Sequence, residues 1–400
     1  MTRDDWCRVN DDRHEAVRNA ESHRCCVGVG MNASEQGSVA LFAERLSRVR
    51  AQMQEQAVDA LVVSVGLDLP YLIGYHAMPL ERLTALVVTR DRATLVVPRL
   101  EAARVVHLES VFDLVAWNET DDPVAITARL IGSATRIAIG DQMWARFLVE
   151  LLHQLSGREF IRSVDVVGPL RIQKDAAEIA ALVAAGAAAD RVALQLQAGQ
   201  IPLVGRSEAQ VSADISARLI AEGHDVVNFA IVAAGENAAS PHHHAGARVI
   251  RKGDIVLCDF GGTMNGYCSD ITRCVHIGEP SSDIARAWGD LRRAQEAGVM
   301  AGTVGASCES VDAASRAALT ASGWGEYFIH RTGHGIGMEA HEEPYMVSGN
   351  TLSIAVGHAF SVEPGIYVSG KWGMRLEDIV VATTNGPQRM NHAPRDLVVL

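Results

Sequence analysis

The chain has 400 residues, 48% of them hydrophobic and 5% aromatic, with a formal net charge of -12. That length allows two or three domains with sizeable cores. The acidic balance and the lack of a basic run argue against a nucleic-acid surface, which needs clustered Lys and Arg, and no run of about 18 apolar residues marks a membrane-spanning helix.

Residues 1–36 mix Asp, Arg, Asn, His and Ser without helical or strand periodicity and are expected to form a disordered tail. Met31 is an alternative start within it. The cysteines (Cys7, Cys25, Cys26, Cys258, Cys268, Cys274 and Cys308) are odd in number and show no CxxC spacing. They read as reduced thiols rather than a disulfide framework. The N-terminus is charged and lacks the apolar stretch of a signal peptide, so a cytoplasmic protein is expected.

From Ser38 the apolar residues Val39, Leu41, Phe42, Leu46, Val49 and Met53 recur at helical spacing. A strand is predicted over Asp59–Val65, and a hairpin over Leu83–Val88 and Ala93–Val97. Helices near 99–108, 123–132 and 143–155 alternate with strands near 112–116 and 136–139, which suggests an α/β domain around a mixed sheet. No phosphate-loop or dinucleotide glycine pattern occurs there. Asp68, Tyr71, Tyr75 and His76 cluster near a turn and read as loop or interface residues.

A break comes at Val166-Val167-Gly168-Pro169. Beyond it an Ala-rich helix is predicted over about Asp175–Gln197, and Ser207-Glu208-Ala209-Gln210 is a capping box opening a helix to about Glu222. A strand over Val226–Val232 follows. No short-period repeat is evident.

The chemistry concentrates in this second half. His330 to Pro344 holds three histidines, three glycines and three carboxylates. Histidine is a frequent metal ligand and a near-neutral acid or base. Single carboxylates interrupt four strand-like stretches, at Asp259, Asp270, Glu363 and Glu377. A carboxylate among apolar strand residues is costly unless it is paired or bound to a cation. A hairpin turning near Met264-Asn265 would set Asp259 and Asp270 directly opposite each other, so something positive should lie between them. Alternation puts Arg375, Glu377 and Ile379 on one face and Asp378 on the other, which favours Glu377 as the inward group.

Two Asp, two Glu and one His form an oxygen-rich set suited to Mn or Co, less exclusively to Zn or Fe, and unlike a structural zinc site. Four carboxylates suit two divalent ions about 3.5–4 Å apart better than one.

These five positions, in this order, resemble metallopeptidase family M24, which includes methionine aminopeptidase, Xaa-Pro aminopeptidase and prolidase (Xaa-Pro dipeptidase). The likeness covers about residues 172–400 by motif. The nearest likeness is to actinobacterial Xaa-Pro dipeptidase-like proteins. It implies an α+β fold: a pita-bread (creatinase/aminopeptidase) catalytic domain over residues 169–400, preceded by an α/β creatinase/prolidase-type N-terminal domain over 37–168.

The resemblance further implies that Asp259, Asp270, His334, Glu363 and Glu377 hold two metal ions. Asp270 and Glu377 would bridge both ions, with Asp259 completing one site and His334 and Glu363 the other. His242, in Ser240-Pro241-His242-His243-His244, and His341, in His341-Glu342-Glu343-Pro344, match the family's catalytic histidines. His330 and Arg375 match positions lining the leaving-residue pocket. The sequence departs from the family pattern at Ala340, where a β-branched residue is usual, and in the His-His-His run.

The expected reaction is hydrolysis of an Xaa-Pro bond, in dipeptides or at peptide N-termini, by a metal-bridging hydroxide. Glu363 would shuttle the proton. His242 and His341 would stabilise the oxyanion, and Arg375 would meet a substrate carboxylate. Implied with it are two divalent ions, manganese foremost, a small peptide substrate, a homodimer, and no nucleic-acid or membrane partner. The alternatives are a creatinase-like or ectoine-hydrolase-like non-peptidase hydrolase and a catalytically silent binding protein. Creatinase lacks the metal set and silent members lose ligands, whereas all five are present here.

Overall fold

The computed structural model describes residues 33–400. The tail up to residue 32, the alternative start at Met31, and Cys7, Cys25 and Cys26 lie outside the described residues. The other four cysteines are buried free thiols.

The first helix spans Ala33–Glu55 and so opens ahead of Ser38, where the apolar spacing begins. It packs on a mixed six-stranded sheet of β1 (Ala60–Val63), β2 (Ala85–Thr89), β3 (Ala93–Pro98), β4 (Asp113–Trp117), β5 (Arg136–Ile139) and β6 (Glu159–Arg162), in the order β4-β3-β2-β1-β5-β6. β2 and β3 form the expected hairpin, with Val88 opposite Ala93. β1, β5 and β6 run parallel to one another.

The sheet's two faces divide the strand residues strictly by alternation. Leu61, Val63, Leu86 and Val88 pack with Leu46, Val49 and Met53 of the first helix. Ala60, Val62, Ala85 and Val87 pack on the other face with Val124, Phe147 and Leu151. Burial on both faces is why these strands read as continuous apolar runs.

Three local expectations change. The helix expected near 99–108 is a single turn, Arg99–Ala102. Beyond it Val106 is 74% exposed, while Val105 and Leu108 pack against the core without forming a helix. Asp68 opens a short helix, Asp68–Ile73, rather than lying in a loop, and Tyr71 is buried in it. The break at Val166–Pro169 falls inside a helix, Val164–Ile172. Pro169 cannot donate to the carbonyl of Asp165, and the Gln56 side-chain amide donates to that carbonyl instead.

The second half begins with the helix Ala176–Gln197, closed at its start by a capping box between Asp175 and Glu178. It is long and apolar enough to cross a membrane by length and composition, in contrast to the expectation of no such span. Its Ala189, Val192, Ala193 and Leu196 instead join a protein core with the next helix, Glu208–Ala221. Ser207 and Gln210 form the expected capping box of that second helix.

These two helices cover a sheet ordered β18-β10-β8-β7. It consists of β7 (Val226–Ala234), β8 (Ile255–Met264), β10 (Ile271–His276) and β18 (Val398–Val399), with β9 (Tyr267–Cys268) paired to the end of β8. A second helix pair, Ser282–Ala301 and Cys308–Ala321, accompanies a sheet ordered β12-β11-β13-β16-β17. Its strands are β11 (Gly333–Gly335), β12 (Glu342–Met346), β13 (Ala359–Val362), β16 (Asp378–Thr383) and β17 (Gly386–Arg389). A ribbon of β14 (Gly365–Val368) and β15 (Trp372–Arg375) completes the fold. β15 packs on β8, and β10 packs on β16, which brings the two sheets together over the carboxylates.

Candidate active site

Asp259 lies within β8, and Asp270 lies in the link between β9 and β10. The hairpin turns at Asn265-Gly266, one residue later than expected, with φ of 51° and 81°. Two successive positive φ values suit the tight two-residue hairpin turn that Asn-Gly favours. The later turn moves the register by two, so Thr272 stands opposite Asp259, and Asp270 is its diagonal neighbour rather than its direct partner. A shift of two keeps the face, so both carboxylates still point the same way. Gly261 then lies beside Asp270, where a Cβ would collide with the backbone carbonyl of Ser269.

His334 is the middle residue of β11, Glu363 follows the end of β13, and Glu377 sits between β15 and β16. Three overlapping triads bring ligand-type atoms within 4.8 Å of one another: Asp259, Asp270 and Glu377; His334, Glu363 and Glu377; and Asp270, His334 and His341. All five residues of the sequence-derived ligand set therefore meet in one centre, with His341 at its edge. Gly333 makes this approach possible, since a Cβ there would meet the Ser361 carbonyl of β13.

The electrostatics call for cations. Among the described residues, Asp259 Oδ1, Asp270 Oδ1 and Glu377 Oε1 are buried with no hydrogen-bond partner. Burial first, and the neighbouring carboxylates second, push Asp270 and Glu377 well above the usual carboxylate range. Burial also raises Asp259, against the pull of Arg375. Burial acts upward on Glu363 too, but the hydrogen bond and charge of His334, with His330 and Arg375, hold it at about 2.

The His334 Nδ1–H donates to the Gly335 carbonyl at 3.0 Å, which turns Nε2 towards Glu363 Oε1 at 3.2 Å and Asp270 Oδ2 at 3.8 Å. A carbonyl only accepts, so the proton belongs on Nδ1, and Nε2 is free to act as a ligand. Four carboxylates face one guanidinium, that of Arg375, a formal charge of three minus before any cation is counted. The donor set fits divalent ions with oxygen and imidazole ligands.

Arg375 is buried and committed within the centre. Its Nη2 pairs with Asp259, Nη1 donates to Tyr367 Oη at 2.9 Å and to the Pro241 carbonyl at 3.3 Å, and Nε donates to Thr272 Oγ1 at 3.1 Å. Thr272 Oγ1 donates in turn to Glu377 Oε2 at 2.7 Å. Ser361 Oγ donates to Glu363 Oε1 at 3.1 Å and accepts from the His334 N–H at 3.0 Å.

Thr272, Ser361 and Tyr367 were missed in the sequence. Thr272 was within reach of it, since it alternates with Asp270 onto the same face. Ser361 likewise lies two residues before Glu363. Tyr367 carries no sequence signal, because its role depends on meeting His330 Nε2 at 2.8 Å as well as Arg375.

The centre opens into a cavity of about 800 Å³ whose walls include His242, His330, Arg331, His341, Phe229 and Ile329. His242 lies on this wall, whereas His243 turns away to bond Glu208 at 2.8 Å. The His341 ring lies over that of His334, with centroids 3.8 Å apart. Burial and then the His334 charge push His341 down to about 4. His330 is bonded into the wall on both ring nitrogens, with Nδ1 facing the Arg331 carbonyl at 2.7 Å.

Residues 174–384 match the model of metallopeptidase family M24, and residues 45–173 match the creatinase/prolidase N-terminal domain. A probable dipeptidase PepE of Mycobacterium tuberculosis is 44% identical over 366 residues, spanning 90% of this chain and 97% of that protein. An Xaa-Pro dipeptidase of Lactobacillus helveticus is 32% identical over 364 residues, 89% of this chain and 98% of that protein. Among solved structures, dipeptidase PepE from Mycobacterium ulcerans superposes with a TM-score of 0.86 at 45% identity, covering 90% of this chain and 98% of that one. A prolidase from Thermococcus sibiricus gives 0.84 at 34% identity, with 90% and 99% covered.

Proposed function

The chain belongs to metallopeptidase family M24, and from that premise we propose that it is a metal-dependent dipeptidase that hydrolyses Xaa-Pro dipeptides. The observation that carries the metal dependence is the set of three buried, partnerless carboxylate oxygens beside an imidazole whose free nitrogen faces them. Asp259, Asp270, His334, Glu363 and Glu377 would hold two divalent cations. Manganese is the proposed metal, in a cytoplasmic homodimer.

Divalent cations there supply Lewis acidity, polarising a carbonyl and lowering the pKa of a water. Glu363 is ionised at neutral pH and takes the proton of the attacking water. Its Oε2 serves, because Oε1 accepts from Ser361 Oγ. The same oxygen returns the proton to the departing nitrogen. His242 and His341 line the cavity and donate hydrogen bonds to the substrate carbonyl and the developing oxyanion. His341 donates as the neutral imidazole, given its lowered pKa. His330 and Arg375 form the wall around the leaving residue. Arg375 also keeps Asp259 in place. An Xaa-Pro bond has no N–H, so its pocket needs no acceptor at that nitrogen. The preference for proline rests on the relatives named Xaa-Pro dipeptidase and prolidase.

The test is hydrolysis of Xaa-Pro dipeptides and tripeptides with Mn, Co or Zn supplied. Dipeptide cleavage is expected. No cleavage of any of them would sink the reading, and cleavage of tripeptides alone would move it to an aminopeptidase. Asp270→Ala should lose bound metal and hydrolysis together, and full activity in that variant would refute the assignment of the centre.

A further inference from the structure

His341 stands over the metal-ligand centre, yet its side chain makes no hydrogen bond among the described residues. Its ring rests on His334, and its position therefore follows from its backbone. That backbone is the bend between β11 and β12. It is anchored at its start, where the Ile336 N–H donates to the Ala359 carbonyl at 3.2 Å and the Gly337 carbonyl accepts from the Cys268 N–H at 2.8 Å; closer to His341 the Gly337 N–H bonds the Glu339 carbonyl at 3.1 Å, and Cys268 Sγ contacts the Met338 carbonyl at 3.4 Å.

The stronger restraint is charge on either side of His341. Glu339 Oε2 and Glu342 Oε2 both meet Arg171 Nη2, at 3.0 and 2.6 Å. The other Glu342 oxygen meets Lys174 Nζ at 2.6 Å, on a lysine side chain that is 1% exposed. The other Glu339 oxygen accepts from Gln142 Nε2 at 2.7 Å.

Arg171 belongs to the helix Val164–Ile172 at the end of the N-terminal domain. Its Nη1 is fastened at 2.9 Å to Asp68, which follows β1, and Asp68 also accepts from Ser163 Oγ at 3.1 Å. One guanidinium thus ties the start of the short helix Asp68–Ile73 to both carboxylates that straddle His341. A planar fork fixes direction as well as charge. Without it, Asp68, Glu339 and Glu342 lose the cation they share, and the two glutamates keep only Lys174 and Gln142 as side-chain partners among the described residues.

We propose that Arg171 is a positioning residue for catalysis: by gripping Glu339 and Glu342 from the N-terminal domain, it sets where the His341 imidazole stands over the carboxylate–histidine centre. The proposal rests on the reading of His341 as a hydrogen-bond donor to the substrate. It makes the N-terminal domain a working part of its own subunit's active site.

The test compares the full chain, loaded with manganese, with R171M in both the wild-type and the H341A background. Metal content, kcat and KM on an Xaa-Pro dipeptide, and amide hydrogen exchange over residues 337–343 are measured. For R171M, kcat should fall on the order of ten- to a hundredfold, the scale of an ångström of misplacement. KM and metal content should change little, and the bend should exchange faster. In the H341A background R171M should cost little more, because the two residues act through one interaction. Equal losses in both backgrounds would assign Arg171 a general structural role and overturn the proposal. Unchanged kcat or unchanged exchange would overturn it as well. Should R171M not fold, E339Q keeps the shape and leaves Arg171 paired with Asp68 and Glu342. It should then show the same pattern with a kcat loss of about threefold. If the wild-type chain cleaves no peptide, the functional reading fails on its own, and the exchange of the bend still decides whether Arg171 positions it.

Discussion

Glu377 and Asp378 are neighbours in the chain, but they stand in opposite surroundings. Asp378 Oδ1 meets Arg273 at 2.7 Å and its Oδ2 meets Arg389 at 3.1 Å, so its charge is matched within the fold. Glu377 leaves Oε1 buried without a partner. Strand alternation separates the two in the sequence, whereas Arg273 and Thr272, which bond Asp378 and Glu377, each lie 105 residues away and are invisible to it. Among the histidines, His358 offers a test apart from the metal centre. Burial, and then the charge of Lys174, push it down to about 4. Its Nδ1 accepts from the Ala355 N–H at 3.3 Å, so it sits neutral in the fold. The unfolded chain binds a proton there below about 6.5 and the folded one does not until about 4, so stability should fall as pH drops through that window. Urea midpoints at pH 7 and pH 5 test this against H358N, whose side-chain oxygen can still accept from Ala355. The wild type should lose more stability than H358N between the two, and equal losses would refute the assignment.

At the scale of the element, the hairpin from β8 to β10 shows how little separates a right and a wrong register. Moving its turn by one residue changes the partner of Asp259 from Asp270 to Thr272. The Asn265-Gly266 pair is a strong hairpin signal in the sequence, and it places the turn correctly once read for its backbone demands. Gly266 has φ of 81°, and nothing lies within 4 Å of where its Cβ would be. Gly266→Ala should therefore cost about 1 kcal/mol through backbone conformation alone. Chemical denaturation should show that loss, with activity per folded molecule retained. A collapse of activity would mean that the turn does more than set the register. The helices were more legible. The capping box at Ser207 starts its helix as expected, and the helix expected from about Asp175 starts there on a capping box of its own, because a cap is a local hydrogen-bond arrangement within four residues.

For the whole molecule, the centre joins two sheets and a ribbon, and its formal charge opposes that joining unless cations are bound. Stripping divalent ions with a chelator should lower the thermal midpoint, and adding manganese back should restore it. The linkage is worth about 2.7 kcal/mol when free ion exceeds its dissociation constant a hundredfold. Asp270→Ala should lose this response. A midpoint unmoved by chelation, with metal analysis showing removal, would show that the carboxylates are balanced in some other way. The sequence by itself determined the chemical inventory, the alternation of the N-terminal strands and the helix starts, since these follow from local spacing and side-chain chemistry, while its resemblance to family M24 singled out the five candidate metal ligands. Only the tertiary structure decided that Arg375 pairs with Asp259, that Tyr367 bridges Arg375 and His330, that particular carboxylate oxygens stay unpartnered, and that Arg171 reaches the bend bearing His341. The physical reason is that, apart from the Tyr367–Arg375 bond across its ribbon, these contacts join residues far apart in the chain, and their geometry is set by how sheets and domains pack, which no local periodicity encodes.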